Sequence, residues 1–146
     1  SMGEDMTMIR VAAHCDKVAC VDKALYHYIR TNPDAMTNVY SDKQLQSVLH
    51  NVEETESYLR TIFNDNLNKE IACFKLNTKL PFLIGDNVEY YKLWTSLFPE
   101  ANKYIWDNTG NSLRIRVIEY LASKRLFWAV KAYSKTHNFL YKNIYQ

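Results

Sequence analysis

Ser41-Asp42-Lys43-Gln44-Leu45-Gln46-Ser47-Val48-Leu49-His50-Asn51-Val52, running on to Leu59-Arg60-Thr61-Ile62-Phe63, decides the fold class. Leu45, Val48, Leu49, Val52, Leu59, Ile62 and Phe63 return at intervals that place them on one stripe of a helix of about six turns. The start is well signalled. Ser41 is an N-cap type, Gln44 completes a capping box, and Tyr40 is placed to staple against Leu45. One apolar stripe has to be buried against something, so further helices are expected on either side.

Downstream they follow in short order. Asn64 to Asn66 interrupts the pattern, and Leu67, Ile71 and Phe74 resume it in a second helix. Leu80-Pro81-Phe82-Leu83-Ile84 is apolar with a proline inside, which reads as a buried connector and not a strand. Asp86 with Glu89 signals another capping box, for a helix through Val88, Tyr91, Trp94, Leu97 and Phe98 that Pro99 stops. Asn108 to Ser112 punctuates again. Leu113, Val117, Ile118 and Leu121 predict the next helix, and Ser123 is the candidate cap of one carrying Leu126, Phe127, Val130 and Tyr133. A last aromatic turn, Phe139 to Tyr145, closes the chain.

Upstream, Met6, Ile9, Ala12 and Ala13 give an apolar face to a short helix ending near His14. Residues 17–22 and 24–30 read as two short extended segments joined at Asp22-Lys23, with Leu25, His27 and Ile29 alternating with Tyr26 and Tyr28. Asn32-Pro33-Asp34 is a turn. The expected fold class is mainly α, an irregular helical bundle of five or six helices with a small two-stranded β element near the N-terminus.

At 146 residues, 47% hydrophobic and 23% charged, the chain can bury a real core and falls outside the disordered class. Cys15, Cys20 and Cys73 are an odd set without dense spacing, which reads as free thiols in a reducing compartment. His14, Cys15, Cys20 and His27 match no standard zinc spacing, so no metal site is assigned. No apolar run approaches the length of a spanning helix. The net charge is only +2, yet residues 111–146 hold Arg114, Arg116, Lys124, Arg125, Lys131, Lys135 and Lys142 against a single acid, Glu119. With Phe127, Trp128 and Phe139 interleaved, this segment suits an anionic membrane surface better than nucleic acid, for which no motif is present.

The chemistry is concentrated at the front. Gly3-Glu4-Asp5 sets two carboxylates behind a glycine at a helix mouth, where Asp5 can cap the helix beside the positive end of its dipole and stay ionised. Such a carboxylate can serve as a general base toward a hydroxyl.

Gly3-Glu4-Asp5, a helix of about ten residues, and then Lys17 to Arg30 ending in Leu25-Tyr26-His27-Tyr28-Ile29-Arg30, resemble the end of the catalytic domain of family 2 glycosyltransferases. These are inverting enzymes of GT-A fold. The likeness covers residues 3 to about 37 closely and the helical remainder loosely. It implies that Asp5 deprotonates the acceptor hydroxyl, that Glu4 stands beside it, and that Arg30 lies near the diphosphate of a nucleotide-sugar donor. It also implies Mg or Mn in the parent enzyme, a glycan or glycolipid acceptor, and cell-surface polysaccharide synthesis at the cytoplasmic side of a membrane. Two departures stand out. The Asp-x-Asp metal motif and a nucleotide-binding βαβ region are absent from these 146 residues, and Asn32 occupies a position where many relatives carry a histidine.

The expected organisation is therefore an expression scar (1–2), the tail of a GT-A catalytic domain (3–40) and a C-terminal helical domain (41–146). On that reading the chain holds half a site, needs no cofactor of its own, is inactive by itself, and pairs as a homodimer through its N-terminal 40 residues. The alternative is a non-catalytic helical interaction domain or a membrane-surface-binding domain, for which Gly3-Glu4-Asp5 is only a helix start.

Overall fold

The computed structural model describes residues 4–23, 42–84 and 87–144, with side chains over 6–23, 43–84 and 87–136. Among these residues there are six α-helices: α1 (Glu4–Ala12), α2 (Asp42–Phe63), α3 (Asn68–Lys79), α4 (Val88–Ser96), α5 (Leu113–Ser123) and α6 (Phe127–Ile144). Short 3-10 helices fill the joints at Asn64–Leu67, Leu80–Leu83 and Pro99–Asp107. The mainly helical class is thus observed. The chain divides into two compact units, residues 1–65 and 66–146.

In the first unit α1 packs along α2. The long stripe forms as its period requires, with Val52 fully buried and Leu45, Val48, Leu49, Leu59 and Phe63 half-buried, while Ile62 at its end is exposed. Thr55 fills the gap in the stripe between Val52 and Leu59 and is buried too. Asn64, with φ 53°, turns the chain out of α2 at the expected interruption, an angle asparagine tolerates better than most residues.

The two-stranded element is not seen among the described residues. Residues 17–21 carry no strand pairing, and Val18 and Val21 stand exposed. The second segment, 24–30, lies outside the described residues, as do Tyr40, Ser41 and Asp86.

In the second unit α3 lies against the 3-10 helix Pro99–Asp107, which also touches α5; α4 packs on Leu80–Leu83 and on α5 and α6. Ile71, Leu76, Phe82, Tyr91, Trp94, Ala101, Ile105 and Val130 form its core. Three local readings are corrected. Asn87, not Asp86, caps α4, its side chain accepting from the Glu89 N–H at 3.0 Å, because the helix starts one residue later. Ser123 ends α5 and does not cap α6, since its hydroxyl donates back to the Tyr120 carbonyl at 2.7 Å. Leu97 and Phe98 leave α4, and Phe98 adopts a left-handed φ of 45° to launch Pro99 into the 3-10 helix. A left-handed phenylalanine costs about 1–2 kcal/mol and has to be held.

Candidate functional site

Glu4 and Asp5 occupy the first turn of α1. The helix begins at Glu4, so Asp5 lies inside that turn and is not its N-cap. It keeps its place beside the positive helix end, where the free N–H groups favour a carboxylate. Their side chains, and the whole of Arg30, lie outside the described residues.

What is described is how α1 is held. The Arg10 guanidinium sits over the Tyr58 ring at 4.8 Å and 3.7 Å from the Glu54 carboxylate. One turn later His14 Nε2 and the Tyr58 hydroxyl share a hydrogen bond of 2.7 Å. Arg10, His14 and Tyr58 therefore pin the far end of α1 to α2. The cysteines are free, and burial pushes the Cys73 thiol up, which keeps it protonated and unreactive near neutral pH. Among the described residues no three His, Cys, Asp or Glu side chains cluster to hold a metal.

The strongest polar constellation was missed by the sequence reading and lies inside the second unit. Lys79, at the end of α3, is 0% exposed. Its ammonium donates to the carbonyls of Leu97 (2.8 Å) and Phe98 (3.4 Å) and to Asn102 Oδ1 (2.7 Å), and lies 3.9 Å from the centre of the Trp94 ring. One turn earlier the Lys75 ammonium meets Glu100 at 2.8 Å and sits over the Phe98 ring at 5.4 Å. Both lysines thus secure the strained exit from α4. Asn77 joins the same region by a second route, its side-chain carbonyl accepting from Asn108 and Asn111, each at 2.9 Å.

Glu119 on α5 is also 0% exposed. Lys79 and Asn111 favour its charged form, but no donor meets hydrogen-bond geometry at either carboxylate oxygen. Burial wins and pushes Glu119 up to about 7; burial likewise lowers Lys79 to about 8, against the pull of Glu119 and Glu100. Shifted acids and bases often mark catalytic sites, yet these two have no exposed surface for a substrate to reach, and Lys79 spends its hydrogens on backbone carbonyls. The cluster holds the fold. The signal was present in the sequence: Ile71, Ala72, Lys75, Leu76 and Lys79 share one stripe of α3, with two lysines at positions the period assigns to the interior.

Its titration should be measurable. A carboxyl raised in the folded state stabilises fully below its unfolded value of 4.5 and loses that contribution as pH rises through about 7. An amine lowered in the folded state acts oppositely, so stability recovers above about 8 toward 10.5. Urea melts across pH should show a minimum between the two. Glu119→Gln should remove the acid limb, worth on the order of 3 kcal/mol, and an unchanged slope between pH 5 and 7 would contradict the assignment.

Comparison of the chain with protein-family models, with curated proteins and with solved structures gives no match.

Proposed function

We propose that the chain is the C-terminal portion of an inverting family 2 glycosyltransferase, which moves a hexose-like sugar from a nucleotide donor to a glycan or glycolipid. The observation that carries this reading is the order of parts: Gly3-Glu4-Asp5, a helix opening at Glu4 and closing at Ala12, a non-helical stretch over 15–21, and then Leu25 to Arg30. Asp5 is the proposed base, Glu4 its neighbour and Arg30 the contact to the donor's diphosphate. Among the described residues no cluster of His, Cys, Asp or Glu could hold a metal, and no step is assigned through this chain to the Mg or Mn expected in the parent.

The test is a parent whose sequence upstream of Gly3 encodes a nucleotide-sugar domain with Asp-x-Asp. That parent should transfer sugar from a nucleotide donor, whereas the 146-residue chain should show neither turnover nor tight nucleoside-diphosphate binding by calorimetry. A parent without such a domain would favour the second reading, a non-catalytic helical interaction domain. That reading draws on the large apolar side chains left exposed in the second unit, Leu113 at 61% and Trp128 at 75%.

The same proposal has a consequence for the chain alone. Met8 and Val11 of α1 are 66% and 53% exposed, a surface the parent's sheet would cover. A homodimer through the first 40 residues is expected by light scattering at high micromolar concentration, and Met8→Lys with Val11→Lys should return it to monomer. A dimer that survives both changes would place the contact elsewhere.

A further inference from the structure

The second unit exposes apolar and basic side chains together along α5. On α5 and its C-cap, Leu113, Val117, Tyr120 and Lys124 recur at helical spacing, and the first three are exposed by 61%, 37% and 40%. The Trp106 ring, 47% exposed, meets the Tyr120 ring at a centroid distance of 5.5 Å, and the Lys124 ammonium lies over the Tyr120 ring at 5.6 Å from its centre. Arg116 ties Trp106 to α5 by donating to its carbonyl at 3.1 Å.

More apolar side chains are exposed at the turn that follows α5. Arg125, with φ 57°, reverses the chain between α5 and α6, closed by the Arg125 N–H on the Ala122 carbonyl (2.8 Å) and the Leu126 N–H on the Leu121 carbonyl (3.0 Å). Leu126 is 38% exposed there, and Trp128, in the first turn of α6, 75% exposed.

Charge selects the occupant. Arg114, Arg116, Lys124, Arg125, Lys131 and Lys135 are all at least partly exposed, whereas Glu119, the one acid of residues 111–146, is fully buried. Asp107, beside Trp106, is exposed and opposes this charge without balancing it. A basic face with indole, phenol and aliphatic side chains between its charges needs a partner that is anionic at one depth and apolar at the next. A nucleic acid could take the arginines and the rings but offers nothing to Leu113, Val117 and Leu126. A bilayer takes all three kinds: rings at the headgroup level, aliphatics at the acyl boundary, and Lys and Arg stems reaching up to the phosphates.

We infer that α5, the corner Lys124-Arg125-Leu126 and the first turn of α6 form a docking face for an anionic lipid bilayer. It does not depend on the transferase reading and is tested on the 146-residue chain itself. The chain is floated with vesicles of phosphatidylcholine, with or without phosphatidylglycerol, and tryptophan emission is followed.

The expected result is binding to the anionic vesicles with a blue shift, weakening as salt is raised. Lys124→Glu with Lys131→Glu should lower partitioning at least about tenfold, and Trp128→Ser should weaken it too. The charge-matched pair Lys23→Glu with Lys69→Glu should not. Circular-dichroism melts check that these surface variants fold, and the wild-type emission shift is a readout that needs no variant. Equal binding to neutral and anionic vesicles, equal loss from the control pair, or binding to a single-stranded oligonucleotide with none to vesicles would each overturn the inference.

Discussion

Asp5→Asn in the full-length parent should leave the protein folded and reduce sugar transfer by at least about 10²-fold, the lower end of what a positioned general base contributes. Asparagine keeps the size of the side chain and remains acceptable in the first turn, so α1 should still open at Glu4. What it removes is the basic carboxylate that takes the hydroxyl proton as the new bond forms. The proposed role also uses the helix: the partial positive charge at a helix start favours a nearby carboxylate, and a base has to be ionised to act. Glu4→Gln, one position earlier, should cost less, because a neighbour that orients the acceptor is not the proton's destination. The measurement is kcat with a nucleotide-sugar donor, alongside donor affinity and a melting curve. Near-normal turnover in the Asn variant would remove Asp5 from the role, and loss of both turnover and folding would show that the residue is needed for the helix.

How far the sequence could be read follows from which physical signals are local. The stripe of α2 was legible because apolar residues at a 3.6 period announce a helix without reference to anything distant, and Val52 at its centre is buried accordingly. The cap of α4 was misplaced by one residue because Asp86 and Asn87 are both good caps, and only the backbone decides between them. The 3-10 helix Pro99–Asp107 went unread because its tighter winding breaks the period on which the other helices were found. Trp106 and Tyr120 are fourteen residues apart and belong to different elements, so their ring contact is a product of the fold. The basic character of residues 111–146 could be counted beforehand; that Glu119 points inward, leaving the exposed surface more basic than the count suggests, could not.

Lys79→Ala should be the most damaging single change to the fold, at about 3–5 kcal/mol, the range for truncating one member of a buried charged network. Three losses combine. The carbonyls of Leu97 and Phe98 and the side chain of Asn102 lose their donor, the stem's methylenes leave a void under Trp94, and the buried Glu119 loses its compensating charge. The second of those carbonyls belongs to the left-handed Phe98, so the ammonium also holds a turn the backbone would otherwise relax. Glu119 softens the blow, because without Lys79 its pKa rises further and it stays protonated at neutral pH. A unit of about 81 residues has roughly 4–12 kcal/mol of stability in all, so the Ala variant should melt about 15–30 °C lower or fail to fold. Lys79→Met keeps the stem and isolates the charge; it should cost about 2–4 kcal/mol, and adding Glu119→Leu should recover part of that by removing the orphaned acid. Denaturant melts of the four proteins give the cycle. A Met variant within about 0.5 kcal/mol of wild type would show that the carbonyls find water or another donor, and that the turn at Phe98 stands without its lysine.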